Sequence, residues 1–123
     1  MKVSACLTFI AILVAAGAGA NDKLAIRVSP AVAFAPATLR VQTTIEADAA
    51  NRSVEIIAES DDFYRSSEMQ LDGEAAPRTT IFQLRSLPTG EYSVRAILRG
   101  PGGHEIAAVE RKVNIVESGA IAR

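Results

Sequence analysis

From Leu24 onward, apolar and polar residues alternate almost without interruption, and this alternation constrains the fold more than any other feature. A period of two is typical of β-strands that are buried on one face and solvated on the other. Turn-forming stretches such as Gly100–Gly103 separate the runs. No window has the 3.6-residue period of an amphipathic helix. The pattern predicts strands at 24–29, 37–46, 53–60, 67–72, 78–84, 91–99 and 105–116.

The alternation also predicts which residues face the core. Seven short antiparallel strands with regular turn signals favour a β-sandwich, in which each strand turns every second residue inward. The expected fold class is therefore all-β. The residues expected on the buried face are Leu39, Val41, Thr43, Ile45, Val54, Ile56, Ala58, Thr80, Phe82, Leu84, Tyr92, Val94, Ala96 and Leu98.

The first twenty residues, MKVSACLTFIAILVAAGAGA, have the pattern of a secretory signal peptide. One lysine precedes an apolar run, and small residues follow it up to an A-x-A site ending at Ala20. The apolar run is shorter than the ~20 residues that a membrane-spanning helix needs. We therefore expect cleavage after Ala20, a secreted or periplasmic protein, and no stable membrane insertion afterwards.

Cleavage would leave 103 of the 123 residues, enough for one domain at 21–117 followed by a flexible tail at 118–123. The chain's single cysteine, Cys6, leaves with the leader, so the core has to be stable without a disulfide. Removal of Lys2 changes the net charge from −1 to −2. A weakly acidic surface of mixed sign gives no electrostatic reason to expect nucleic acid or an anionic membrane as partner.

The stretch LPTGEYSVRAIL (87–98) resembles the corner and F strand of immunoglobulin-like and fibronectin type III-like domains. SPAVAFAPATLRVQTTIE (29–46) and HEIAAVERKVNIV (104–116) are similar to the opening and the last strand of bacterial extracellular PKD-type modules. The chain departs from these families in lacking paired cysteines, a strand-C tryptophan and the aromatic-acidic-glycine phrase of PKD domains. The resemblance implies a seven-stranded antiparallel immunoglobulin-like β-sandwich.

The same resemblance assigns Tyr92 and Gly90 to the scaffold. In such domains a tyrosine just after the turn hydrogen-bonds back to nearby backbone, which fixes the corner. Tyr92 is expected to do so here, and Gly90 is expected to supply a positive φ.

The sequence lacks the residues that a catalytic site would need. A nucleophile–base pair would depend on His104, the only histidine, and no cysteine remains after export. His104 adjoins a glycine-rich turn, where a general base is poorly held, and a zinc site would need further histidine or cysteine ligands. We therefore expect a non-enzymatic protein without a cofactor.

An acidic segment at 59–74 raises the alternative of a small-ligand or calcium-binding periplasmic protein. Glu59, Asp61 and Asp62 could supply the oxygen ligands that calcium prefers. Their spacing matches no EF-hand loop, so solvated loop acids remain the simpler interpretation.

Phe63 and Tyr64 suggest a different function, namely binding. Adjacent side chains of an extended segment point to opposite sides, so at most one of the two can plug the core. An exposed aromatic residue favours binding, whereas both rings could instead pack locally under the loop.

Ile57 and Ile97 fall in the outward register of two strands expected to be neighbours, and Ile106 and Ala108 could extend this stripe. An apolar strip on a wet sheet can mark a protein contact. Scattered surface residues, or a bulge in the last strand, would explain it equally. The function expected from the sequence is an interaction module that contacts a protein or a cell-envelope polymer through these isoleucines or through Phe63 and Tyr64.

Overall fold

A computed structural model describes residues 23–117, and almost all of them belong to β-strands or short turns. The predicted signal peptide and the 118–123 tail lie outside the described residues. Short 3₁₀ turns follow the fifth and the seventh strand, at Gly73–Ala75 and Pro101–Gly103. The eight strands are β1 (Leu24–Ser29), β2 (Val32–Phe34), β3 (Ala37–Ile45), β4 (Ser53–Glu59), β5 (Tyr64–Gln70), β6 (Thr79–Leu87), β7 (Gly90–Arg99) and β8 (Glu105–Val116).

The strands form two sheets. One has three strands in the order β1-β3-β6, and the other has five in the order β2-β8-β7-β4-β5. Every pairing is antiparallel except that of β2 with β8, which is parallel. The all-β class predicted from the alternation is confirmed. The predicted count of seven strands is wrong, because the structure has eight.

The additional strand is β2, which lies between Pro30 and Pro36. The chain leaves the three-stranded sheet after Ser29 and joins the five-stranded sheet beside β8. Proline has no N–H to donate to a ladder, so the two prolines limit this strand to three residues. Three residues are too few for an alternation to be visible in the sequence.

Two strands, β5 and β6, have boundaries that differ from the prediction by more than one residue. β5 runs over 64–70 rather than 67–72, because its inward residues are mostly polar and give little hydrophobic signal. β6 continues to Leu87 rather than ending at Leu84, because a register shift against β3 turns both leucines inward. Ser86, with a φ of 60°, lies within that irregularity.

The core lies between the two sheets. It includes the predicted apolar residues of β3, β4, β6 and β7, together with residues of β1 and β8 that lie outside the predicted set. Thr80, predicted on the buried face, is only half-buried. Leu39 and Val41 of the three-stranded sheet and Val94 and Ala96 of β7 have no exposed surface. Thr43, the buried polar residue of β3, donates its hydroxyl to the Thr80 carbonyl at 3.1 Å. Residues 23–117 include no helix that is long and apolar enough to cross a membrane.

Candidate functional site

Tyr92 forms the corner that the sequence predicts. Its hydroxyl donates to the backbone carbonyl of Pro88 at 2.8 Å, and only 1% of the residue is exposed. Burial raises the pKa of the phenol above its usual value of 10.0, and hydrogen bonding from Ser60 partly opposes this shift. The hydroxyl is thus held by the turn and acts in the scaffold.

Gly90 has the predicted positive φ, +159°, although this value is close to extended backbone. A Cβ at this position, however, would lie 3.3 Å from the Ser60 Cβ and 3.4 Å from the Tyr92 ring. A larger residue would therefore be tightly packed between the Tyr92 ring and the β4–β5 turn.

The side chains of Phe63 and Tyr64 point to opposite faces of the sheet, as expected for adjacent residues of an extended chain. The Phe63 ring packs against the core and meets the Tyr92 ring edge-to-face, with centroids 6.2 Å apart. The Arg65 guanidinium lies 5.2 Å from the centre of the Phe63 ring and donates to the Arg85 carbonyl of β6. Tyr64 points the opposite way and is 58% exposed. Of the two aromatic residues, Tyr64 is the one available to a partner.

Ile57 and Ile97 lie on the outer face of the five-stranded sheet, apart from the core cluster, as their register predicts. They are nevertheless only 7% and 5% exposed. Close by, Arg99 forms a salt bridge with Glu55, the residue paired with Ile97, at 3.1 Å. Long side chains of this kind can cover an apolar surface with their aliphatic parts.

The predicted extension of this stripe is incomplete. A register shift between β7 and β8 follows the pair of Leu98 and Ala107, and it leaves Ile106 unpaired. Ile106 packs against the edge of the core, whereas Ala108 is exposed next to Ile97. The bulge therefore shortens the apolar stripe to its buried isoleucines and one alanine.

An open cleft of about 600 Å³ lies beside the start of β7. β4 and its turn form one wall, the end of β8 forms the other, and the first residues of β7 form the floor. Tyr64 does not line the cleft, but it pairs with the lining residue Glu59. The lining residues are Ala31, Glu59, Ser60, Asp61, Glu91, Tyr92, Ser93, Lys112, Val113 and Asn114.

The charge in the cleft is mainly negative. Glu59, Asp61 and Glu91 form no salt bridge or side-chain hydrogen bond with another described residue, so their charges are available to a ligand. The one cation of the lining, Lys112, is already 3.4 Å from the Glu110 carboxylate. The surface is therefore suited to hydrogen-bond donors and cations.

Glu110 is the carboxylate at this site whose proton affinity is clearly altered. The Ser93 hydroxyl donates to it from the adjacent strand, and this bond is the main reason that its pKa lies below 4.5. Desolvation opposes the shift, and Lys112 and Arg95 add to it. Glu110 and Lys112 thus form a charged pair at the edge of the cleft.

The residues considered for a metal do not form a cluster. Glu59, Asp61 and Asp62 are all exposed around the two-residue tip of the β4–β5 hairpin. Within residues 23–117, no three His, Cys, Asp or Glu side chains are grouped closely enough to hold a metal ion. His104 is exposed in the β7–β8 turn, with its Nδ1 2.8 Å from the Pro101 carbonyl.

The sequence pattern does not indicate most of the cleft. It places Ser93 on the wet face but gives no reason to select Glu91, Lys112 or Asn114. They meet because Ser93 pairs with Lys112, and Glu91 with Asn114, in the β7–β8 ladder. The available signal was this hairpin register, which an alternating pattern alone does not define.

No protein-family model and no curated protein sequence matches the chain. Among solved structures, it is similar to a superoxide reductase (neelaredoxin) from Ignicoccus hospitalis, with a TM-score of 0.60 and 12% identity over 76% of this chain and 80% of that one. It is also similar to the CARDB domain of the PF1109 protein from Pyrococcus furiosus, described in complex with di-metal ions. That match has a TM-score of 0.48 and 12% identity over 77% of this chain and 92% of that one.

At 12% identity and a TM-score of 0.60, the likeness to the superoxide reductase shows a shared fold alone. It does not support a PKD-type or fibronectin type III assignment. What the chain does has to be argued from its own surface.

Proposed function

We propose that this chain is an exported immunoglobulin-like binding module that contacts another protein or a cell-envelope polymer. The observation that carries the proposal is Tyr64, an aromatic side chain left 58% exposed and paired with Glu59, which lines the open cleft. Two features support the immunoglobulin-like assignment, namely the Tyr92–Pro88 hydrogen bond and the two-sheet strand order. The signal-peptide pattern of residues 1–20 supports export.

Tyr64 has the properties of a binding anchor. A tyrosine offers a large apolar ring and a polar hydroxyl while losing few rotamers on binding. Its backbone is already paired along β4, so little order has to be gained when a partner docks. The neighbouring carboxylates of Glu59, Asp61 and Glu91 would give such a contact its polar specificity.

Ile57 and Ile97 contribute less to this proposal than the sequence suggested. With 7% and 5% exposure they have almost no surface to offer, and a partner would meet the charged side chains around them. The proposed contact surface is therefore Tyr64 together with the cleft.

Binding is proposed rather than catalysis because the described residues offer neither a group of metal ligands nor a well-held general base. The superoxide reductase is named as an enzyme, but the likeness to it concerns the fold. The described residues do not group three potential metal ligands, and the only histidine lies in an exposed turn. The carboxylates of the cleft would attract a cation, but the described residues do not bring three of them close enough together for a calcium site.

The test is capture from the envelope of the native cell with the tagged chain, in the wild type and in Tyr64→Ser. Ile81→Ser is the matched control, because Ile81 is 44% exposed on β6 in the other sheet. We expect one envelope component to be bound by the wild type and by Ile81→Ser, and to be reduced at least tenfold in Tyr64→Ser, since anchors of this type can contribute about 2 kcal/mol.

A partner of the polymer class is tested in the same way by co-sedimentation with isolated envelope polysaccharide. Equal capture by Tyr64→Ser and the wild type would refute the proposed surface. Absence of any bound protein or polymer would refute the proposed function.

A further inference from the structure

The outer edge of β5 is an open strand edge. All seven residues of β5 pair with β4 in an uninterrupted register. β5 is the last strand of its sheet, and no described strand pairs with its other side. The edge contains no proline. An edge of this kind presents unpaired N–H and C=O groups that can template another strand.

The other three sheet edges are each restricted over part of their length. Pro30 and Pro36 flank the short strand β2 on either side. β1 lies against β8 of the other sheet. β6 has an irregular register near Ser86. On β5 the one inward charge, Arg65, is turned away to the Arg85 carbonyl and covers only the first end of the strand.

We propose that β5 pairs with β5 of a second copy of this chain, antiparallel and about a two-fold axis at Ser67. Such an axis, perpendicular to the sheet, brings together residues that point to the same face. The pairs are Tyr64 with Gln70, Arg65 with Met69, Ser66 with Glu68, and Ser67 with itself. The two five-stranded sheets would then form one continuous sheet.

The side chains of β5 favour this register over its alternatives. No like charges are opposed, and the Ser66 hydroxyl can donate to the Glu68 carboxylate of the second copy on both sides of the axis. A register centred on Glu68 or on Arg65 would oppose two identical charges, which is destabilising in a ladder. A register centred on Ser66 would pair fewer residues of the strand.

The test measures the dimer dissociation constant by sedimentation velocity on the chain expressed from Met1 and purified as the host cell processes it. Ser66→Glu opposes two pairs of carboxylates across the axis and should weaken the dimer roughly tenfold. Ser66→Lys should strengthen it by a similar factor. The double variant Ser66→Glu/Glu68→Lys restores opposite charges and should return the constant to within about threefold of the wild type.

Thr44→Glu is the matched control, because it adds the same charge at an exposed position of β3, far from this edge. It should leave the dissociation constant unchanged, and thermal unfolding of each variant checks the fold. A wild type that stays monomeric at millimolar concentration would overturn the proposal. So would equal effects of Ser66→Glu and Thr44→Glu, or a failure of Glu68→Lys to compensate Ser66→Glu.

Discussion

The two edge strands of the five-stranded sheet each have a phenylalanine at one end. One of these residues is exposed to solvent and the other packs against the core. Phe34, at the end of β2, points outward and is 51% exposed. Phe63, just before β5, points inward onto Tyr92 and is covered by Arg65. The length of the β2 edge strand is thus limited by the prolines on either side of it, whereas the β5 edge strand is held in place by side-chain packing. Substitutions should affect the two edges very differently.

The largest difference is expected between Phe63→Ala and Phe34→Ala. Phe63→Ala removes a partly buried ring and its contact with Tyr92, and should lower the free energy of unfolding by about 2 kcal/mol. Phe34→Ala removes a ring that is already half in water and should cost less than about 1 kcal/mol. Denaturant unfolding of both variants measures the two values. Equal losses would contradict the proposed difference between the edges.

Arg65→Ala is expected to have the next largest effect, and a more local one. Its guanidinium holds β5 to β6 through the Arg85 carbonyl and covers the Phe63 ring. Loss of both contacts should cost about 1 kcal/mol and should speed amide exchange in β5 before β7 or β8. Arg40→Ala, an exposed arginine of β3, is the control and should leave the exchange of β5 unchanged. Uniform acceleration across the sheet would show that Arg65 does not act on this edge.

This contrast also explains how far the sequence could predict the structure. β3, β4 and β7 were predicted with the correct buried faces, because large apolar residues alternate with polar ones along them. The alternation predicts β5 three residues late, because polar Arg65 and Ser67 occupy two of its inward positions. The Tyr92 corner was predictable, since it depends on a local turn with its own sequence signature.

The cleft and the covering of the outer isoleucines were not predictable in the same way. Both depend on which residues oppose each other between strands, and a shift of one residue would reverse every side chain. The bulge at Ile106 and the salt bridge between Arg99 and Glu55 are consequences of that pairing. The alternation predicts on which face of the sheet a residue lies, but not which residue lies opposite it on the neighbouring strand.

The smallest expected effect lies on β8, the strand that supports the β2 edge. The pKa of Glu110 is lowered in the folded protein, chiefly by the Ser93 hydroxyl, so its carboxylate is favoured by folding. The stability that this provides is present above the ordinary pKa of 4.5 and is lost as the pH falls through the lower pKa of the folded state. Ser93→Ala should therefore raise the pKa of Glu110 towards 4.5 and remove part of this pH dependence.

Carboxyl-carbon NMR titration of Glu110 measures this shift directly. Ser66→Ala is the matched control, because it removes an exposed hydroxyl from β5 and should leave the pKa of Glu110 unchanged. The effect should be small, since the Glu110 side chain is 43% exposed and water screens its charge. A Glu110 pKa that does not respond to Ser93→Ala would mean that Lys112 and Arg95, rather than the cross-strand hydroxyl, set the charge beside the cleft. In that case the outer face near β2 would be organised by exposed charges alone, and its difference from the packed β5 edge would be greater still.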